Sequence, residues 1–126
     1  MEQSKKILIV DDEAIHLEFL KDTVTQWGFS VFEATNGKEM IEVAKHSRPN
    51  LIILDVFMPN MDGYSALTHL RGMPKIADVP VILMSAHSGV KANIDILMAF
   101  ENVEFLPKPI DIDVLIKKLN KMGFNI

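Results

Sequence analysis

The stretch Leu51-Ile52-Ile53-Leu54-Asp55-Val56-Phe57-Met58-Pro59 constrains the fold of this chain more than any other. Four consecutive aliphatic residues lack the alternation of a strand with one wet face, and so suit a strand buried on both faces of a parallel sheet. The run ends in a carboxylate. Open α/β sheets bind ligands outside the carboxyl ends of their strands, which puts Asp55 on the edge where chemistry collects. Ile7-Leu8-Ile9-Val10 repeats the pattern and runs into Asp11-Asp12.

The rest of the chain supplies alternating partners for these strands. Lys6–Val10 reads as the first strand. Glu13 to Trp27 carries Leu17, Leu20, Val24 and Trp27 on one helical face, with Gly28 placed as the left-handed exit residue. Ser30–Ala34 is β-branched and aromatic enough for a second strand. Asn36-Gly37-Lys38-Glu39 offers an N-cap with an acid three positions on, opening a helix to about Ser47 that Arg48-Pro49-Asn50 breaks. Pro59-Asn60-Met61-Asp62-Gly63 is a loop by its turn formers, and a short helix from about Tyr64 to Gly72 turns Leu67 and Leu70 inward. Met73–Val79 is a connector, and Pro80 opens a fourth strand, Val81–Met84, that ends at Ser85-Ala86-His87. A helix over roughly Gly89 to Phe100 has Val90, Ile94, Leu97 and Met98 as its buried stripe. Val103–Leu106 is the fifth strand, ending at Pro107-Lys108-Pro109. Asp111 caps a last helix with Leu115, Leu119 and Met122 on one face. At the exit of the fourth helix, Asn102 can take a left-handed backbone, whereas Glu101 cannot do so cheaply.

Five strands alternating with five helices imply right-handed crossovers, a parallel sheet and helices on both faces, within one domain spanning 1–126. All strand ends then open on one edge, which gathers Asp11, Asp12, Asp55, Ser85 and Lys108 from four strands. Composition excludes several alternatives. A net charge of −4 and no Lys/Arg block speak against direct nucleic-acid binding. The absence of cysteine removes disulfides, thiolate metal sites and cysteine nucleophiles. No apolar run approaches membrane-spanning length and no signal-peptide core opens the chain, so a cytoplasmic location is expected.

Three crowded carboxylates repel one another unless a cation sits between them or one is protonated. Oxygen-only ligands favour a hard ion such as Mg²⁺. A lysine opposite adds a fixed positive charge and a serine hydroxyl adds a hydrogen bond. Together these suit a phosphoryl group on Asp55, since carboxylates can attack phosphorus. Each residue also has a plainer reading: Asp11-Asp12 as helix-start acids, Ser85 as a cap, Lys108 as a solvated loop lysine. Their coincidence on four strand ends favours the chemical one.

These residues resemble a family. Ile-Leu-Ile-Val-Asp-Asp-Glu (7–13), Leu-Ile-Ile-Leu-Asp-Val-Phe-Met-Pro-Asn-Met-Asp-Gly (51–63), Pro-Val-Ile-Leu-Met-Ser-Ala (80–86) and Phe-Leu-Pro-Lys-Pro (105–109) are similar, in order and spacing, to the receiver domain of two-component response regulators, of the single-domain, chemotaxis-regulator type. The resemblance implies a doubly wound, flavodoxin-like sheet of order 2-1-3-4-5. It implies that Asp55 is the phospho-acceptor for a histidine kinase or histidine phosphotransfer protein. Asp12 is then the direct Mg²⁺ ligand, Asp11 a ligand mainly through water, and the Phe57 backbone carbonyl a further one. Lys108 corresponds to the lysine on the phosphoryl oxygen, Ser85 to the switch hydroxyl and Phe105 to the aromatic switch, with Lys108–Pro109 a cis bond. Phosphorylation would be read by a downstream protein on the fourth helix, fifth strand and fifth helix of a monomer or weak dimer. The protein would catalyse only its own phosphorylation and dephosphorylation.

Two positions bear on lifetime. Phe57 and His87, each two residues past a site residue, stand where side chains gate water, and a bulky apolar Phe57 should shield an acyl phosphate. His87 by itself reads as a solvated histidine. A stand-alone receiver is expected, because only Gly123-Phe124-Asn125-Ile126 follows the last helix. A receiver cut from a larger regulator with a DNA-binding or enzymatic output fits as well. A Mg²⁺-dependent aspartyl-phosphate phosphatase fits less well, since its signature wants a second acid where Phe57 stands.

Overall fold

In a computed structural model, described over residues 5–56, 63–85 and 91–126, the chain forms the alternating series the hydrophobic pattern predicts. The elements are β1 (Lys6–Val10), α1 (Ala14–Gln26), β2 (Ser30–Ala34), α2 (Gly37–Ser47), β3 (Leu51–Asp55), α3 (Gly63–Arg71), β4 (Val81–Ser85), α4 (Lys91–Met98), β5 (Val103–Pro107) and α5 (Ile112–Lys121). The strands make one parallel sheet in the order β2-β1-β3-β4-β5. This is the doubly wound, flavodoxin-like arrangement expected of the sequence.

The unalternating aliphatic runs occupy the middle of that sheet, with β3 and β4 buried throughout, while the edge strand β2 is buried only at Ala34. Each central strand feeds two cores. Leu8, Val10, Ile52, Leu54, Val81 and Leu83 face Met40, Ala44, Leu67, Leu70 and Leu97 from α2, α3 and α4. Ile7, Ile9, Leu51, Ile53, Ile82 and Met84 face Leu17, Leu20, Val24, Leu115 and Leu119 from α1 and α5. With neighbouring residues serving opposite layers, neither parity of the strand can be polar, and removing one such side chain costs about 2–5 kcal/mol.

Local signals set where the elements end. The Asn36 carboxamide accepts from the Glu39 N–H at 2.8 Å, and the Glu39 carboxylate accepts from the Thr35 N–H at 3.0 Å, which fixes the start of α2. Gly28 leaves α1 at φ +95°, a backbone that a side chain would strain. α4 ends at Met98, two residues short of the predicted Phe100, and the left-handed turn falls on Asn102 at φ 59° and not on Glu101. Hydrogen bonds tie this exit down: the Arg71 guanidinium donates to the Val79 and Glu101 carbonyls, and the Asn102 amide donates to the Asp78 carbonyl. Met122, expected on the apolar face of the last helix, is its half-buried C-cap. The expected start of the fourth helix, with Gly89 and Val90, lies outside the described residues, as does the side chain of Ile94.

Candidate functional site

The chain reverses its winding between β1 and β3. From β1 it steps outward to β2, then returns across to β3 and proceeds away on the other side. Such a switch point leaves a crevice at the strand carboxyl ends, and Asp11 and Asp55 flank it.

Asp11 follows β1 directly and is fully buried, while its neighbour Asp12 is exposed. The Asp11 backbone N–H donates to the Ala34 carbonyl at 3.1 Å, extending the β1–β2 ladder by one rung and turning the carboxylate inward. Asp55 is the last residue of β3, 2% exposed, and Ser85 is the last residue of β4, 4% exposed. Lys108 stands just past β5, where its N–H donates to the Ser85 carbonyl at 3.0 Å, and its side chain is 13% exposed. Lys108–Pro109 is cis. Phe105 lies within β5, registered against Leu83 and half-buried against the α2–α4 core. Phe57 and His87 lie outside the described residues.

The Lys108 ammonium joins the site. It donates to Asp55 Oδ2 at 2.9 Å and to Asp11 Oδ2 at 3.2 Å, bridging two carboxylates 44 positions apart in sequence. Burial alone would push its proton off, but the two acids outweigh that and hold the lysine above its usual 10.5. Burial likewise opposes ionisation of Asp11. Donation from His16, from the Glu13 N–H at 3.0 Å and from the Lys108 charge prevails, and the carboxyl sits below 3.8. His16 is the residue that sequence reasoning missed: its Nδ1 meets Asp11 Oδ2. The apolar stripe gave no signal of it; only its place in the first turn of the helix that leaves the acidic strand end sets it near Asp11.

One oxygen from each of Asp11, Asp12 and Asp55 lies within 4.8 Å of the other two. In an octahedral Mg²⁺ shell with oxygens at about 2.1 Å, neighbouring ligands stand about 3 Å apart and opposite ones about 4.2 Å, so carboxylates gathered this closely can converge on one ion directly or through a bridging water. Charge gives the same answer. Three carboxylates against one ammonium leave two negative charges, which a divalent cation balances, and an all-oxygen donor set suits a hard one. The described residues thus fit a metal of this kind.

Fold and site together define a doubly wound α/β protein whose switch-point crevice holds a buried acid pair bridged by lysine. The model of the response regulator receiver domain matches residues 7–120, and the chain belongs to that family. Receiver domains of this kind are signalling modules of two-component systems, for which a phosphorylation switch is general, rather than enzymes that turn over a separate substrate. The chain is 33% identical to the chemotaxis protein CheY of Thermotoga maritima over 120 residues, covering 94% of this chain and 98% of that one. It is 39% identical over 92 residues to a probable transcriptional regulator, ycf27, of Porphyridium aerugineum, covering 73% of this chain but 37% of the relative. Among solved structures, the signal receiver domain of a signal transduction histidine kinase from Syntrophus aciditrophicus superposes with a TM-score of 0.81. Its sequence identity is 33%, with 94% of this chain and 89% of that chain covered.

Proposed function

We propose that this chain, as one receiver domain over 1–126, is a phosphorylation-dependent switch in which Asp55 accepts a phosphoryl group from a histidine kinase or histidine phosphotransfer protein. The observation that carries this reading is the Lys108 bridge, which sets a fixed ammonium 2.9 Å from Asp55 Oδ2 in a crevice that also collects Asp11 and Asp12. In the transfer, an Asp55 carboxylate oxygen forms a bond to phosphorus as the phosphorus–nitrogen bond of a phosphohistidine donor breaks, the imidazole nitrogen keeping the electron pair. Lys108 turns from the Asp55 carboxylate to a phosphoryl oxygen, and the Ser85 hydroxyl donates to another. Asp12 directly, Asp11 through water, Asp55 and the Phe57 carbonyl are the proposed Mg²⁺ ligands; when bound, the ion neutralises charge on attacker and phosphoryl group.

Drawing Ser85 inward frees volume that Phe105 fills. Phe105 is half-buried on β5, between α4 and α5 in the chain, so the α4–β5–α5 face is where a downstream protein reads the change. The protein acts in the cytoplasm as a monomer, or as a weak dimer when phosphorylated, and touches neither nucleic acid nor membrane itself. No helix among the described residues is long and apolar enough to cross a membrane. A second reading, a receiver within a longer regulator with its own output domain, is favoured by the 37% share of the ycf27 relative that the chain covers.

The test is intact mass after incubation with a small acyl-phosphate donor and Mg²⁺. The wild type should gain one phosphoryl group and Asp55→Asn none; no gain, or a gain undiminished in the variant, refutes the proposal. Turnover of many small phosphoesters per protein would favour the phosphatase.

A further inference from the structure

His16 is placed to act on the same site. It lies one turn into α1 with its side chain 18% exposed, and its Nδ1 meets the Oδ2 of Asp11, whose side chain is fully buried. A carboxylate can only accept, so Nδ1 carries the proton and donates. The rest of the Asp11 environment is uneven. Oδ1 accepts from the Glu13 backbone N–H at 3.0 Å, a partner fixed by the chain, whereas Oδ2 shares Lys108, at 3.2 Å, with Asp55 at 2.9 Å. When Lys108 engages a phosphoryl group on Asp55, Asp11 Oδ2 loses that donor. Among the described residues, His16 is then the remaining side-chain donor to it.

We infer that His16 is a positioning residue: by donating from Nδ1 to Asp11 Oδ2 it holds the buried carboxylate in its metal-binding orientation, both before transfer and after Lys108 has moved. The inference rests on the divalent-ion site proposed above and adds a residue to it. Carboxylates that ligate metals depend on hydrogen bonds from the shell behind them, and loss of such a partner typically lowers metal affinity about 10–100-fold. The alternative is a helix histidine that satisfies a buried acid and stabilises the fold without bearing on the ion.

Calorimetric titration of Mg²⁺ into the wild type, His16→Leu and His16→Asn separates the two, with thermal unfolding of each in chelator alongside. The amide nitrogen of asparagine is bonded to Cγ, as Nδ1 of histidine is, so His16→Asn keeps the donor and loses the ring. His16→Leu should bind Mg²⁺ about tenfold more weakly, and His16→Asn should recover most of that loss. His16→Ala is a second donor-free variant, should leucine disturb folding. Unchanged or tighter Mg²⁺ binding in the donor-free variants overturns the inference, even where their unfolding temperature falls. So does an equal loss in His16→Asn, which would credit the ring and not the donor. A wild type that binds no Mg²⁺ refutes the ion site itself, and the inference falls with it.

Discussion

Replacing Lys108 by methionine, which keeps the length of the stem and deletes the charge, isolates what the bridge contributes. The ammonium stands 2.9 Å from Asp55 and 3.2 Å from Asp11, with 13% of the side chain exposed and both acids buried. At an effective dielectric of about 20, a charge pair near 3 Å attracts by about 5 kcal/mol, and two such pairs meet here. Removing the lysine from water cancels much of that. Deleting one partner of a buried pair nonetheless costs about 3–5 kcal/mol, because the other charge is left uncompensated. With some solvent reaching the site, the low end applies, and Lys108→Met should lose about 3 kcal/mol of unfolding free energy in chelator. Millimolar Mg²⁺ should then stabilise the variant more than the wild type, since it supplies the missing positive charge and stabilises by mass action. Urea unfolding of both proteins, with chelator and with Mg²⁺, measures all four quantities. A loss below about 1 kcal/mol in chelator would mean that the acids are paired or protonated without the lysine, refuting the reasoning. Equal stabilisation of both proteins by Mg²⁺ would refute the second half.

Further outcomes follow from the same geometry. The Asp11 carboxyl is held below 3.8, so its contribution is present above that pH and is lost as pH falls through the folded-state value; Lys108, held above 10.5, contributes below that pH and loses its share as pH rises past its folded-state value. The acid limb of a urea-midpoint profile should accordingly be shallower in Asp11→Asn, and the alkaline limb shallower in Lys108→Met. Asn36→Ala removes the cap on the Glu39 N–H and should cost about 1 kcal/mol in chemical unfolding, with no effect on phosphorylation. From its place in the sequence, two residues past the proposed acceptor, Phe57→Asn should admit water and shorten the lifetime of the phosphorylated protein several-fold in a decay assay; a longer-lived variant rejects the shielding role of Phe57.

The sequence revealed what depends on short-range pattern. The aliphatic runs at Ile7–Val10, Leu51–Leu54 and Val81–Met84 have no polar parity because each strand serves two cores, and that alone placed them at the centre of a two-faced sheet. The acid pair and lysine were legible because each sits where a run stops. The exit of α4 was legible because asparagine tolerates the left-handed backbone that glutamate does not. His16 was not. Reading α1 by its apolar stripe picks out Leu17, Leu20 and Val24 and treats other positions as solvent-facing, yet in the first turn of α1 His16 reaches back to Asp11 at the end of β1. A polar residue there faces the site, a relation set by the connection geometry and invisible to a periodicity count. The sharing of Lys108 between two acids was likewise beyond the sequence, since position 108 shows only a lysine between prolines.

The proposed switch requires that Asp55 itself carry the phosphoryl group. Borohydride reduces an acyl phosphate on aspartate to homoserine, so phosphorylating the protein with a small acyl-phosphate donor and Mg²⁺, reducing it and sequencing its peptides by tandem mass spectrometry locates the modified residue. Homoserine is expected at position 55, and is absent when a chelator replaces Mg²⁺. Homoserine at position 11 or 12 instead, or none at all, would contradict the proposed switch.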